Sequence, residues 1–392
     1  MSLQTWIIEP RDSLIARDGK PFGANVAHAT SLDFPFPSTT TGGVRSRAGM
    51  VNGKFDVSQI DSVKNIEVRG ALLVELDQHG EISDFYLPSP ADALLLQSAE
   101  QREKNEARIY RFLPLDIEKL SGDSDNRNLS NLSEQIPYPV GLTHTNNKDK
   151  PYNDLKFWSW KNALKPWLTE SYNANSISLK DFGIKGLIKD ARVHVAINEN
   201  LASVESALFQ TRGIEFNYGD GDLSEVKKLS LVVFVDDSNS QKLEDKGSLS
   251  PLGGERRLVN WRKSNQTKLP FDCPPDIRQQ IVNDRHCRLM LLTPGFFENG
   301  LPESNTDYEI KAIACNRYQT VSGWDFANNQ PKPTRRLVPA GSILFLQIKT
   351  DVEKWIEKIW MKCIGDSEEE KKAGFGLSIL GTWDGKALEN WE

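Results

Sequence analysis

Between Ile343 and Trp383 the chain spells out one supersecondary unit, and few folds accommodate it. Ile343–Ile348 reads as a strand after the Pro339-Ala340-Gly341 turn. Asp351 starts a helix in which Val352, Trp355, Ile356, Ile359, Trp360 and Cys363 recur in steps of three and four, so they form one buried stripe. Gly365 is expected to end that helix, Asp366 to Lys372 to form a charged loop, and Gly374-Phe375-Gly376 to lead into a last strand, Leu377 to Trp383. Strand, helix, glycine loop and strand make half of a ferredoxin-like βαββαβ unit.

The 392 residues are long for one core and comfortable for two domains. With 38% hydrophobic and 26% charged residues the chain is globular rather than disordered. No internal sequence repeat is visible, so a second βαββαβ unit follows only from length and element order. The fold class is therefore α+β, with two tandem ferredoxin-like domains and long inserted loops. The polar stretch 237–248 is the junction, which gives residues 1–240 and 241–392 as the two domains.

In the N-terminal part, Thr5 to Glu9 is a short strand stopped by Pro10, and residues 10–36 are turn-rich. A helix is expected from Ser38 or Thr39, capped by a hydroxyl. Gly42, Gly43 and Gly49 weaken it, so something must approach closely there. Val68 to Leu76 and Asp84 to Leu87 pair through a Gln78-His79-Gly80 turn. A helix is expected over Ala91 to Ala99, running on towards Glu106, and a second helical stretch between Lys156 and Leu168. Arg192 to Ile197 and Leu229 to Val235 alternate as strands. Residues 121–135 and 144–153 read as exposed loops.

The formal net charge of −6 argues against nucleic-acid binding, which needs a basic face, but it says nothing about where the charges lie. Locally the balance reverses. In 311–336, Lys311, Arg317, Lys332, Arg335 and Arg336 stand against Asp325 alone, interleaved with Tyr318, Trp324 and Phe326. Basic residues among aromatics suit single-stranded RNA, and equally a solvated hairpin face. In 10–50, Arg11, Arg17, Lys20, Arg45 and Arg47 outnumber Asp12, Asp18 and Asp33. Arg45 and Arg47, two apart on a helix, project in different directions. Ser38 to Thr41 at a helix start would suit a phosphate or plain capping. Pro251-Leu252-Gly253-Gly254-Glu255-Arg256-Arg257 is the sharpest local feature: glycines permit close approach and arginines supply forked donors, as an ordinary surface hairpin also could.

The sequence contains no G-x-x-x-x-G-K-[ST], no H-E-x-x-H, no C-x-x-C pair and no G-x-S-x-G. His79, His144, His194 and His286 read as solvated or structural, and only His28, in the basic N-terminal loop, is a candidate general base. Asp236 and Asp237 point apart at a strand end, so neither a metal nor a cofactor is expected. Cys273, Cys287, Cys315 and Cys363 are dispersed and read as free thiols of a reducing compartment. Neither a signal peptide nor a run of about 18 apolar residues is evident, so a cytoplasmic protein without membrane contact is expected.

Several segments, in order, resemble one family. Trp6 to Leu14 with Asp18-Gly19-Lys20-Pro21-Phe22, and Phe36-Pro37-Ser38-Thr39-Thr40-Thr41-Gly42-Gly43-Val44-Arg45, resemble its N-terminal strand, loop and first helix. Leu87 to Asp92, Val193 to Phe209, Leu252 to Arg257, Ser322 to Asp325, Pro331-Lys332-Pro333 and Gly374-Phe375-Gly376 resemble later landmarks. The family is the third subunit of the Cmr complex, the type III-B CRISPR effector, a RAMP-superfamily protein of antiviral defence. The resemblance implies two ferredoxin-like domains, no catalysis, and a place at the foot of the complex. There the subunit would hold the 5′ handle of the CRISPR RNA beside the large polymerase/nuclease subunit and the first backbone subunit. The residues then expected to face RNA are Arg11, Lys20, Ser38, Thr39, Arg45 and Arg47 near the first helix; Gly253, Gly254, Arg256 and Arg257 in the central loop; and Lys332, Arg336, Gly374 and Gly376 towards the C-terminus. The alternatives are a metal-independent RAMP endoribonuclease that processes CRISPR RNA, and a scaffold without RNA contact.

Overall fold

The structure, a computed structural model, describes residues 3–17, 31–116, 137–142, 148–169, 176–219, 226–236, 248–264, 269, 271–325 and 330–388. Lys20, His28, His144, the 121–135 loop and all but one residue of the proposed 237–248 junction lie outside them.

β1 (Leu3–Pro10) leads by way of α1 (Pro37–Ala48) to β2 (Glu67–Leu76), which turns into β3 (Ile82–Pro88). An insertion follows with β4 (Ala93–Gln97), β5 (Glu106–Arg111), β6 (Leu155–Ser159) and β7 (Gly183–Lys185), then a hairpin of β8 (Lys189–Ile197) and β9 (Ser203–Ile214). The chain returns through β10 (Lys227–Asp236), β11 (Ser248–Pro251) and β12 (Leu258–Ser264). One large sheet results, in the order β7-β6-β3-β2-β10-β1-β12-β11.

After α2 (Pro275–Asp284) come β13 (His286–Leu291), β14 (Tyr308–Ala314), a hairpin of β15 (Gln319–Asp325) and β16 (Gln330–Leu337), and β17 (Ile343–Ile348). α3 (Val352–Ile359), α4 (Glu368–Lys372) and β18 (Ser378–Thr382) complete the second sheet, ordered β14-β17-β13-β18.

The two sheets share one wiring that the sequence hides. In the first, β2-β10-β1-β12 is the second, third, first and fourth strand of its unit, with every neighbour antiparallel. In the second, β14-β17-β13-β18 repeats that order and those directions. Each unit carries its insertion between second and third strands. The crossovers are complementary: α1 joins first to second strand in one unit, and α3 and α4 join third to fourth in the other. β12 and β11 close the first sheet, so residues 248–264 pair with the strands that precede residue 240.

Period-two alternation along β1, β2 and β10 sends side chains to two cores. Trp6, Ile8, Leu73, Leu231, Val233 and Val235 pack with Val44 and Ala48 of α1. Ile7, Leu72, Val74, Val232 and Phe234 belong to the core that also contains Leu289, Phe345, Leu346 and Leu380 of the second sheet. Leu229–Val235 is a strand as expected, but it is buried on both faces rather than alternating, so it reads as a near-continuous apolar run.

Four local expectations are corrected. Ala91–Ala99 is not a helix: Leu94 and Leu95 pair with Tyr110 and Ile109 in a β4–β5 ladder, and only Ala99–Glu103 is helical, behind a Ser98/Gln101 capping box. The Lys156–Leu168 stretch begins as strand β6 and turns helical at Trp160, where the Ser159 hydroxyl accepts from the Asn162 N–H at 3.1 Å. α3 starts at its Asp351 cap as expected but ends at Ile359, six residues before Gly365, because Met361 and Cys363 pair beside β18. Asp366–Lys372 holds α4, capped by Ser367.

The sheets are locked by a buried ion pair. Arg288, 1% exposed in mid-β13, donates from Nη1 to Asp92 Oδ2 at 2.6 Å, and Asp92 is fully buried. Trp167 Nε1 donates to the other Asp92 oxygen at 2.9 Å, while Arg288 Nη2 donates to the Trp167 carbonyl at 2.7 Å and Nε to the Thr382 carbonyl at 2.9 Å. Removing one member strands the other charge in an apolar core. Asp92→Ala is therefore expected to lower the unfolding free energy by about 3–5 kcal/mol. Urea titration followed by tryptophan fluorescence checks this, and a loss below about 1 kcal/mol, the range of an exposed pair, would contradict it.

Candidate nucleic-acid interface

Two cationic clusters flank α1. The helix is short of apolar residues and is held by small ones and by hydroxyls turned inward. Thr40 Oγ1 donates to the Pro37 carbonyl at 3.1 Å, and Thr41 Oγ1 to the Ala373 carbonyl, 2.7 Å away in the second unit. Gly43 lies against Leu252 and the Trp261 ring, where a Cβ would stand 2.7 Å and 2.9 Å from carbon atoms. The expected hydroxyl cap is absent: Phe36 caps the helix without a side-chain bond and Pro37 fills the first position. Ser38 is exposed and Thr39 half-buried, and the Thr39 N–H is already spent on the Phe36 carbonyl at 2.9 Å.

The first cluster is the 253–257 turn. Leu252 N–H donates to the Arg257 carbonyl at 2.8 Å and Gly254 N–H to the Ile15 carbonyl at 2.7 Å. Gly253 has φ +73°, and a Cβ there would sit 2.5 Å from the Ile15 oxygen. Glu255 and Arg256 also have positive φ, +56° and +53°. Glu255 accepts from Arg17 at 2.7 Å and from Arg257 at 3.5 Å. Arg256 is exposed and makes no ion pair with the described residues. Exposed Arg11 is adjacent, its backbone N–H bonded to the Leu258 carbonyl at 2.9 Å. The Arg47 guanidinium lies 5.4 Å from the Trp261 ring centroid, and burial lowers its pKa.

The second cluster lies past the other side of α1. Arg45 turns away from Arg47 and donates to the carbonyls of Ile66 at 3.1 Å and Lys372 at 3.4 Å; burial lowers its pKa. The β15–β16 hairpin reaches this place because Val321 and Leu337 pack with Phe36, Ala373 and Phe375 in a small separate core. It delivers Lys332, paired with Glu369 at 2.6 Å, and Arg335, paired with Glu370. Arg336 points outward over the Tyr318 ring at 4.9 Å.

The glycines play a different part from the one expected. Gly374 and Gly376 are buried, and their N–H groups bond the carbonyls of Lys371 at 3.0 Å and Pro294 at 2.8 Å. A Cβ would lie 2.6 Å from the Gly70 oxygen at Gly374, and overlap the Ile364 oxygen at Gly376. These glycines, with Gly253 and Gly254, let the chain approach its own backbone, so the Gly254, Gly374 and Gly376 N–H groups do not offer themselves to a ligand. Arg45 is likewise an internal strut. Arg11, Arg256 and Arg336 are exposed, and Arg257 and Lys332 are half-buried and each paired with a glutamate. Arg17 belongs to the basic 10–50 segment, but its pairing with Glu255 is not legible there; Glu369 is missed, although the Ser367-x-x-Glu370 cap signal announces the helix that carries it.

The model of the CRISPR-associated protein (Cas_Cmr3) family matches residues 6–383. The chain belongs to that family. No curated protein matches it. Among solved structures this Cmr-family chain is similar to a chain of the type III-B Cmr-beta complex bound to cognate target RNA, at 16% identity and TM-score 0.45 over 95% of both chains. A second form of that complex, with target RNA and AMPPnP, gives 16% and 0.43 over 87% and 86%. A chain of the Csm3-Csm4 subcomplex of the type III-A interference complex gives 14% and 0.33 over 89% and 93%. The assignment rests on the family match alone.

Burial pushes the Cys273 and Cys363 thiols up to about 12 and raises Cys287, which disfavours the thiolate at these three sites, while Cys315 is exposed. His194 bonds the Thr211 hydroxyl at 2.9 Å, and His286 Nδ1 bonds the Asp284 carbonyl at 2.7 Å while its ring meets Trp383 edge-on. Among the described residues no three His, Cys, Asp or Glu side chains converge on a metal position, and no helix is long and apolar enough to cross a membrane.

The glycine geometry separates two substitutions in this Cmr-family chain. Gly376→Ala should cost more than about 2 kcal/mol, because φ is +75° and the new Cβ meets a carbonyl oxygen. Exposed Gly42 in α1 has no atom within 4 Å of its Cβ position, so Gly42→Ala should stabilise by about 0.5–1 kcal/mol. Thermal unfolding of both variants checks the pair of signs.

Proposed function

We propose that this chain is the third subunit of a type III-B CRISPR (Cmr) effector complex: a non-catalytic, cytoplasmic RNA-binding subunit that acts in antiviral defence. It holds the 5′ handle of the CRISPR RNA, and it docks the large polymerase/nuclease subunit and the first backbone subunit. Family membership supports the setting. The repeated second-third-first-fourth strand order, with one crossover supplied by α1 and the other by α3 and α4, supports reading the two sheets as tandem ferredoxin-like units. The observation that carries the RNA reading is the 253–257 turn. Its backbone is fixed by Gly254 on Ile15, and it presents Arg256 to solvent with no carboxylate paired to it among the described residues, beside Arg11 and half-buried Arg257. A fixed turn with outward guanidinium groups suits phosphates, which position a single strand before its bases are read. The net charge of −6 fits a subunit whose remaining surface meets protein neighbours.

Arg256→Ala combined with Arg257→Ala should weaken binding of a single-stranded RNA carrying the handle. It should also flatten the dependence of log K on log salt by roughly 0.7 per lost contact, for one or two contacts. Fluorescence anisotropy across a salt series measures both. Unchanged affinity with an unchanged slope would make the turn a subunit contact instead. The same RNA incubated with the chain in EDTA should stay intact; a single cut at the handle would favour the endoribonuclease.

A further inference from the structure

α4 opens with Glu368, Glu369 and Glu370, and each has a cation against it. Their settings differ. Glu368 pairs with Lys371 of its own helix, and the Glu370 side chain, 5% exposed, is locked to Arg335. Glu369 is 67% exposed, yet three cations bear on it, two from β16 and one from α1. Lys332 of the hairpin donates to it at 2.6 Å, and Arg335 and Arg45 attract the same carboxylate through space. The bond from Lys332, together with these attractions, holds the Glu369 carboxyl below the usual carboxylate range against a raising effect of burial.

The two arginines are built in. Arg45 is tied to two carbonyls, and Arg335 is tied to Glu370 with its guanidinium 5.9 Å from the Phe296 ring centroid. The Nε atoms of both are buried and, among the described residues, without a hydrogen-bond partner. The carboxylate that both attract through space, Glu369, is on a long exposed side chain held by Lys332. Ordered cations facing a loosely held carboxylate make a site whose present occupant is easily exchanged for another oxyanion of the same charge, since an exposed pair is held weakly. A phosphodiester has that charge and two oxygens to offer, and it suits both guanidinium and ammonium donors.

We propose that Glu369 occupies the place of an RNA phosphate in the free chain, and that RNA binds by displacing its carboxylate from Lys332, within the field of Arg335 and Arg45. The inference rests on the RNA-binding reading and adds an internal competitor to it. The acidic helix lowers the affinity of the basic hairpin for any single polyanion contact, so that only RNA held elsewhere at the same time, at the 253–257 turn, displaces it. The other side of α1 thereby becomes a second contact, made after the first.

Glu369→Gln keeps the helix and removes the competitor. It should tighten binding of single-stranded handle RNA by the full-length chain about two- to fivefold. It should also steepen the salt dependence by up to about 0.7, one added phosphate neutralised. Glu103→Gln, an exposed carboxylate on another helix, removes the same charge and should leave affinity unchanged. Lys332→Gln in the Glu369→Gln background should abolish the gain. An unchanged or weakened Glu369→Gln, or an equal gain in Glu103→Gln, would overturn the proposal while leaving RNA binding standing. A wild-type chain with no salt-dependent affinity for the RNA would overturn both.

Discussion

One buried cation organises this molecule. Arg288 stands in the middle strand of the second sheet with its guanidinium enclosed, and everything it bonds belongs either to the insertion of the first unit or to the neighbouring strand: Asp92, the carbonyls of Trp167 and Leu168, and that of Thr382. An enclosed charge is tolerated only when its donors are satisfied. The two sheets therefore dock in one register, set by the Asp92 carboxylate and the Trp167 indole. A sliding or splayed arrangement would leave a charge in the core shared by Val232, Phe234, Leu289 and Phe345.

That docking sets the surface that matters. With the sheets fixed, α1 touches both units, through Gly43 against Trp261 on one side and Thr41 against the Ala373 carbonyl on the other. The helix carries two arginines two residues apart, and their divergence sends one towards each cation cluster. The glycines act in the same cause: Gly253 lets the central turn rest on Ile15, and Gly374 lets the C-terminal loop rest on Gly70 of the first sheet. The arginines around them owe their positions to backbone contacts, so the clusters are rigid at their bases and polar at their tips.

How much of this was legible depended on whether the signal was local. β1, β2, β10, β17 and β18 were readable because their apolar runs are bounded by turns. Ala91–Ala99 was not, because three successive leucines fit a helix as well as a strand and only the distant Glu106–Arg111 decides between them. The end of α3 was misread because Met361 and Cys363 answer to β18 rather than to Gly365. The charges of α4 hid a helix that its Ser367 cap announces. In the site, residue type identified the basic segments, but pairing is a tertiary fact. Nothing near Arg45 in the chain says that it serves Ile66, and nothing near Lys332 says that Glu369 meets it. The glycines were recognised as points of close approach, and only the fold says what approaches: the chain itself.

The central claim is that a Cas_Cmr3-family chain uses the turn beside Arg11 and the hairpin beside α4 as one RNA-facing surface. Photocrosslinking of 4-thiouridine placed along the 5′ handle of the CRISPR RNA, in the assembled complex, followed by mass spectrometry of the linked peptides, tests it most directly. The account predicts handle crosslinks to peptides containing residues 253–257 and 330–337 of this chain. Handle crosslinks confined to other subunits, with this chain present in the complex and unmarked, would contradict it.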